Sequence, residues 1–401
     1  MMLNQEIAAI FYQLAWRTSQ AGQPVFKTAA YRKVARALAQ ESRPVADLRR
    51  QGLLREIPGV GDKIEAKIAE ILDTGRLHTL DKLRAETRLA ADRQPRVVVV
   101  GSLNMDLVAW APRRPARGES LRGTRFGMFL GGKGFNQAVA AARLGASVTM
   151  VGRVGGDSFG ASLVDALKAE GVDARYVSRD PVVPTGTAMI VVEPDGANSI
   201  VVVLGANLTL EAHHVDAALE AIATADVLLL QLEVPQEASL HAARLARAAG
   251  GTVLLNPAPA PDQPLRPDLL RLADWLMPNE VEAAMLTGVS GDPLAAARAL
   301  LSQGAGRVVV TLGPQGSLLV TPDVELRVPA FPVDSVDSTA AGDAFCGALA
   351  VALARGQSES DAVRMANAAG ALAVTVAGAE PSLPKREAVE ELMRGGSVTT
   401  T

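Results

Sequence analysis

Along residues 4–86 apolar side chains recur at helical spacing: Ile7, Ile10, Phe11 and Leu14 in one stretch, Ile64, Ile68, Ile71 and Leu72 in another. Residues three and four apart share one face of a helix, so the pattern predicts a run of amphipathic helices. Nothing in it reads as a strand. At "RVVVVGSLNMD", beginning with Arg96, the period changes, and strands then alternate with helices as far as the C-terminal tail. "SVTMVGRVG", "DVLLLQLE", "TVLLNPAP", "ADWLMPN" and "RVVVTLG" are nearly continuous apolar runs, separated by alanine-rich helices such as 236–249 and 293–303. Runs without alternation imply burial on both faces. The expected fold class is therefore α/β: a doubly wound, mostly parallel sheet with ligands at the carboxyl ends of its strands, preceded by a small all-α domain.

Two segments depart from that pattern. "ESLRGTRFGMFLGG" and "TGTAMIVVEPDGANSIVVV" alternate with period two, the second around a "PDG" turn. They predict antiparallel strands outside the main sheet, a small β lid near residues 103–131 and 185–205. At 401 residues the chain favours two unequal units over one. The helical domain is placed at 1–90 and the α/β domain at 95–393, with the polar "ETRLAADRQP" as linker and the terminal "GGSVTTT" as a disordered tail.

Composition narrows the picture. With 48% hydrophobic and 3% aromatic residues, the chain can bury a large aliphatic core but has few rings for base stacking. That disfavours a single-strand binding platform. The net charge of −3 conceals an asymmetry: residues 1–93 hold 16 Lys and Arg against 11 Asp and Glu, the remainder 24 against 32. A basic front suits a polyanionic partner, and it equally suits an ordinary solvated surface. The single cysteine, Cys346, excludes internal disulfides, and no Cys/His cluster has zinc spacing, so a reducing, cytoplasmic setting is expected. Cys346 itself reads as a packed core thiol. His78, His213, His214 and His241 fall outside every motif and are assigned no chemistry. "MMLNQEIAAIFYQLAWR" reads as an amphipathic helix and not as a signal peptide, and the apolar runs are too short to span a bilayer, so no membrane partner is expected.

The strongest chemical signal is "DSTAAGDAFCGALAVAL", residues 337–353, where Ala340, Ala341 and Gly342 precede Asp343 at the start of a long apolar helix. Unpaired amides at a helix start, reinforced by the dipole, form an anion site that small residues let a phosphate approach. An aspartate there also stabilises any helix, so the residue alone decides nothing. The loop "GGKGFNQAVAAARLGA" again runs glycines into a helix and adds Lys133 and Asn136, while "GSLNMD" adds Asn104 and Asp106. Donors and acceptors at strand-to-helix turns suit a polyhydroxy ligand.

Taken together, "GSLNMD", "GGKGFNQA", "LLLQLEVP", "LNPAPA", "MPNEVEA", "TLGPQG" and "DSTAAGDAFCGAL" occur in the order seen in the ribokinase-like carbohydrate kinases, which residues 95–390 resemble. The resemblance implies ATP-dependent phosphorylation of D-ribose to ribose 5-phosphate, with another sugar or a nucleoside as the alternative substrate. It implies Asp343 as general base and the amides of 340–343 as the anion hole for the transferring phosphoryl group. Asn104, Asp106, Gly132, Lys133, Asn136 and Glu233 match sugar contacts. Thr311, Gly313, Gly316, Gly342 and Asn367 match the ATP side, and Asn279 and Glu282 match an N-x-x-E motif that organises phosphate and Mg²⁺. "TLGPQG" also reads as a plain hairpin turn, and Asn279 with Glu282 as a helix cap. A K⁺ site is implied at Asp337, Thr339, Ala373, Val376, Gly378 and Ser382. By the same analogy the lid strands imply a homodimer. Three departures stand out: Ser338 follows Asp337 where a threonine is usual, Asn367 replaces the histidine of some relatives, and "VGRVGGD" replaces "VGDD".

"IPGVGDKIEAKIAEIL", residues 57–72, has the apolar-Pro-Gly-apolar-Gly pattern of a helix-hairpin-helix motif, whose amides hold a DNA phosphate without reading bases. Residues 4–86 more widely resemble the N-terminal lyase-type domain of family-X DNA polymerases. That resemblance implies weak, non-specific DNA binding by residues 1–90 and, as a further alternative, abasic-site lyase chemistry. Lys67 matches the Schiff-base lysine, and Lys27, Tyr31 and Lys63 match neighbouring phosphate contacts. A lysine pair at i and i+4 is also a common solvated helix face.

Overall fold

The computed structural model describes residues 2–86, 93–194, 196–260 and 264–395. Positions 87–92 of the expected linker, Asp195 of the "PDG" turn and positions 396–401 of the expected tail lie outside the described residues. The front is helical throughout: Asn4–Gln20, Val25–Gln40, Val45–Arg50, Asp62–Thr74 and His78–Glu86. The hairpin between the third and fourth helices turns at Gly59, whose φ of 92° favours a residue without a Cβ. Asp62–Thr74 buries Ile68 and Ile71 and stops at Gly75, left-handed at φ 70°.

The strands in chain order are β1 (Arg96–Val100), β2 (Asn104–Trp110), β3 (Arg125–Gly131), β4 (Ser147–Gly155), β5 (Asp173–Asp180), β6 (Gly186–Val192), β7 (Asn198–Val203), β8 (Val227–Leu230), β9 (Thr252–Leu255), β10 (Trp275–Leu276), β11 (Val308–Thr311), β12 (Ser317–Val320) and β13 (Glu325–Val328). Nine of them form one sheet in the order β13-β12-β11-β10-β9-β8-β1-β4-β5. It is parallel from β5 to β11, and β12 and β13 close it as an antiparallel meander. Helices cover both faces. Val98, Val100, Leu228 and Leu230 point into one buried cluster, and Val97, Val99, Val227 and Leu229 into the other. Successive side chains of a strand point to opposite faces, so a strand enclosed on both sides shows no polar alternation.

The remaining four strands form a separate sheet in the order β3-β2-β6-β7. β2–β3 and β6–β7 are antiparallel as expected, but β2 and β6 pair in parallel. The reason is topological: β2 follows β1 and β6 follows β5, and both feeding strands lie in the same parallel sheet and leave it in one direction. A second correction concerns Asn104 and Asp106, which lie within β2 and not at a strand-to-helix turn. β1 ends four residues before Asn104, at Val100, so the motif spans the passage from one sheet to the other. Among the described residues no helix is long and apolar enough to cross a membrane.

Candidate active site

β1 ends at Val100, and Gly101 to Leu103 carry the chain across to the small sheet beside the glycine loop 131–134. The two backbones pass so closely that a Cβ on Gly134 would sit 2.6 Å from the amide nitrogen of Ser102, and one on Gly132, at φ 91°, 2.7 Å from that of Asn104. Glycine is therefore required there by backbone, which cannot yield as a side chain would. The loop leads directly into the helix Lys133–Arg143, whose first turn carries Lys133, Asn136 and Gln137.

Opposite it begins the helix Ala341–Ala354, entered through Ala340 at φ 60°, the one non-glycine residue in the left-handed region among the described residues. That turn sets Asp343 on the helix's first turn, buried. Its Oδ2 accepts from Asn136 Nδ2 at 3.0 Å and its Oδ1 from Gln137 Nε2 at 2.9 Å. Gln137 is braced in turn: its Nε2 also reaches Asn256 Oδ1 at 3.2 Å, and its Oε1 accepts from Gln231 at 2.7 Å. The amide of Ala341 bonds the Ser338 carbonyl at 3.3 Å, whereas those of Gly342 and Asp343 have no protein acceptor among the described residues. Two amides thus stand free at a helix start, as an incoming anion would need. Asn136 Oδ1 is buried without a partner among the described residues.

Charge gathers at the same place. Burial raises the pKa of Asp343, with Lys133, Asn136 and Gln137 pulling it back towards the charged form. For Lys133 burial favours the neutral amine, but Asp343, Glu233 and Glu282 outweigh it and hold the ammonium above its usual range. Asp106 is pushed up to about 7 by burial and by the neighbouring charges of Glu233 and Asp343. Glu282 is raised by burial, partly offset by the Asn279 amide and Lys133. Glu233 Oε2 accepts from the Ser102 hydroxyl and from the Lys133 amide, the latter at 3.1 Å. Asp106, Lys133, Asn136, Glu233, Glu282 and Asp343 therefore form one electrostatic group. Asn104 stands in the adjacent strand, its Oδ1 accepting from Asn207 at 2.8 Å.

Asn279 and Glu282 form a reciprocal cap, Glu282 N to Asn279 Oδ1 at 2.8 Å and Asn279 N to Glu282 Oε2 at 2.9 Å. The helix-cap alternative is thus present in the structure, on a residue that also feels Lys133 and Asp343. Thr311 bridges Asn279, its amide on the Pro278 carbonyl at 3.0 Å. Gly313 and Gly316 make the turn to β12, and a Cβ on Gly316 would meet the Val328 carbonyl at 2.2 Å. The same carbonyl accepts from Asn367 Nδ2 at 3.0 Å, with Pro329 O at 3.2 Å, so only the amide oxygen of Asn367 is left for a ligand. Asp337 is held by the Thr339 amide at 2.9 Å and the Gly378 amide at 2.8 Å. Burial opposes its charge, yet those amides and the Thr339 hydroxyl outweigh burial and lower its pKa. Nearby, the Ala373 carbonyl accepts from Val376, and Ser382 Oγ donates to the Ala379 carbonyl at 2.8 Å.

In the front segment Lys27 and Lys63 are exposed and Tyr31 lies against Phe11. Lys67 is half-buried, its Nζ 2.7 Å from Thr79 Oγ1, and burial lowers its pKa against Glu70. Gln137, Gln231, Asn256 and Asn207 were not singled out from the sequence. The first three stand inside recognised motifs as polar residues in apolar runs, which was the available signal. Asn207 had none, although it fixes the passage into β2 through Leu103 N at 2.9 Å and Leu103 O at 3.1 Å.

Residues 94–386 match the family model described as pfkB family carbohydrate kinase, and residues 2–77 match a helix-hairpin-helix domain. Ribokinase of Bacillus subtilis is 42% identical over 297 residues, 74% of this chain and 99% of the relative. Deoxyribokinase of Salmonella typhimurium is 37% identical over 301 residues, 74% of this chain and 98% of that protein. Among solved structures, ribokinase of Arabidopsis thaliana complexed with ribose and ATP superposes with a TM-score of 0.71 at 36% identity, covering 75% of this chain and 99% of its own.

Proposed function

This chain belongs to the pfkB family of carbohydrate kinases, and from that premise we propose that it transfers the γ-phosphoryl group of ATP to the primary hydroxyl of D-ribose. The observation that carries the reading is the Asp343 carboxylate, buried on the first turn of its helix, held by two amide side chains and flanked by two free backbone amides. Asp343 takes the hydroxyl proton as the sugar oxygen bonds to the γ-phosphorus, and the bond to the β-phosphate oxygen breaks to release ADP. Burial makes it a stronger base than an exposed aspartate, while the Lys133 ammonium favours its charged form. The Gly342 and Asp343 amides receive negative charge on the phosphoryl oxygens, preorganised by the helix start. Asn136 Oδ1, Asp106, Glu233 and Lys133 offer the acceptors and donors that sugar hydroxyls require.

Thr311, Gly313, Gly316 and Asn367 line the nucleotide side. Glu282 fits a Mg²⁺-organising role, being an acidic group that feels the charges of Lys133 and Asp343. Mg²⁺ would neutralise phosphate charge there. The 337–339 and 373–382 segments offer a carboxylate kept ionised and backbone carbonyls, oxygen donors that suit K⁺, which would order the anion hole. A second sugar reading, 2-deoxyribose, is favoured by the Salmonella relative. ADP release measured across a sugar panel tests the choice: ribose is expected to give the highest kcat/KM, and a higher value for another sugar overturns it.

The exposed apolar side chains of the small sheet, Met189 and Ile200 to Val203 among them, support a homodimer built through the lid. The hairpin with Lys27, Lys63 and half-buried Lys67 supports weak DNA-backbone binding by the front segment. Lyase chemistry there would need the Lys67 amine to be neutral, which its burial favours.

A further inference from the structure

The helix Asn4–Gln20 buries every residue from Ile7 to Ala15, and then Thr18. A helix on the outside of a domain buries one stripe, whereas one enclosed all round lies between two bodies. Its neighbour Val25–Gln40 shows the ordinary case, burying Thr28, Val34, Ala35 and Leu38. The surroundings of the first helix explain the contrast: Val25–Gln40 and His78–Glu86 from the front of the chain, Leu219–Thr224 and Gln236–Ala249 from the kinase. One hydrophobic cluster runs from Ile7, Phe11 and Leu38 through Ile222 and Leu245 to Val98 and Leu228 of the central sheet.

The rim of this contact is ionic. Arg32 pairs with Glu220 at 2.7 Å, and Arg84 donates to the Ala249 carbonyl. At the junction of the two parts, Arg93 of the linker donates twice to Asp226, at 2.7 and 2.6 Å, and the Arg96 amide at the start of β1 joins the same carboxylate at 2.8 Å. The guanidinium carbons of Arg93 and Arg96 lie 5.9 and 5.5 Å from the centre of the Trp16 ring. These groups fix the orientation of a surface whose middle is apolar.

Domains joined by small polar contacts move independently by default, and a continuous apolar core removes that freedom. We propose that the helix-hairpin-helix segment and the kinase form one cooperative folding unit, with Asn4–Gln20 as a core element of both. The front is then a fixed part of the kinase and not a tethered arm. The Bacillus subtilis relative is matched over 99% of its length by 74% of this chain, which leaves it no length to match the front helices. The surface formed by Leu219–Thr224 and Gln236–Ala249 accordingly has as its partner a helix that this relative lacks. Docking leaves Pro58, Gly59, Lys27 and Lys63 exposed, so the phosphate-gripping side of the segment stays open.

The test takes the full chain through a urea series and reads pulsed hydrogen exchange by mass spectrometry on two sets of peptides. One set comes from Asp62–Thr74, the other from Ala341–Ala354. A single unit requires both sets to lose protection at one midpoint, and Arg93→Ala to lower both midpoints by the same amount. Two different midpoints, or an Arg93→Ala shift confined to either set, overturns the proposal. Should Arg93→Ala fail to fold, the midpoints of the unaltered chain decide alone.

Discussion

Asp106 and Asp343 share a site yet are tuned for different tasks. Asp343 is buried, which raises its pKa, while two amide donors and the charge of Lys133 favour its ionised form, as the proposed base requires. Asp106 is buried near the charges of Glu233 and Asp343, with no hydrogen-bond donor to its carboxylate among the described residues, and its pKa rises from 3.8 to about 7. For a carboxyl with a raised folded-state pKa, the folded protein binds the extra proton, so stability falls as pH rises from about 4 to about 7. Asp106→Asn removes that penalty. Its melting temperature should exceed that of the unaltered chain by more at pH 8 than at pH 5, while its KM for sugar rises. An equal gain at both pH values would contradict the assigned cause. Asp343 and Asp106 were legible in the sequence because a motif marks each. Gln137 and Asn207 were not, because their partners lie over a hundred positions away, at Asp343 and Leu103. No local pattern encodes such pairings.

At the scale of elements, the two glycine-bearing turns serve opposite needs. Gly134 is squeezed by backbone at 2.6 Å, whereas a Cβ on Gly342 meets nothing within 4 Å and its φ is ordinary. Gly134→Ala should therefore cost about 1–3 kcal/mol of unfolding free energy, the usual range for overpacking. Gly342→Ala should melt like the unaltered chain yet lose turnover, because its methyl group would enter the proposed phosphoryl site. Calorimetry beside steady-state kinetics separates the two. The apolar runs of β1, β8, β9 and β11 announced the parallel sheet directly. The parallel pairing of β2 with β6 was hidden, since period two gives strand faces but not strand direction. β10 has only two residues, too short for any period to define its limits.

For the whole molecule, the small sheet leaves Phe126, Met128, Met189 and Ile200 to Val203 exposed. A dimer that covers them should appear by light scattering, and Val201→Glu should yield monomers; an unaltered chain that stays monomeric at micromolar concentration would remove the dimer. Gapped DNA should bind the full chain weakly, with affinity falling roughly 10- to 100-fold between about 50 and 200 mM salt, as expected for a few phosphate contacts. Absence of binding at low salt would leave the helical front with its packing role alone. The change of period near Arg96 showed that two kinds of structure meet in this chain. That they share a core was not visible, because an amphipathic pattern shows which side of a helix is apolar and not how many bodies enclose it.

The most direct measurement is ribose-dependent ADP formation by the unaltered chain and by Asp343→Asn, with the product identified by phosphorus NMR. Ribose 5-phosphate is expected from the first and a loss of about 10²- to 10⁴-fold in kcat from the second, with ATP affinity retained. Unimpaired turnover by Asp343→Asn, or no ribose-dependent ADP from the unaltered chain, would contradict the proposed function.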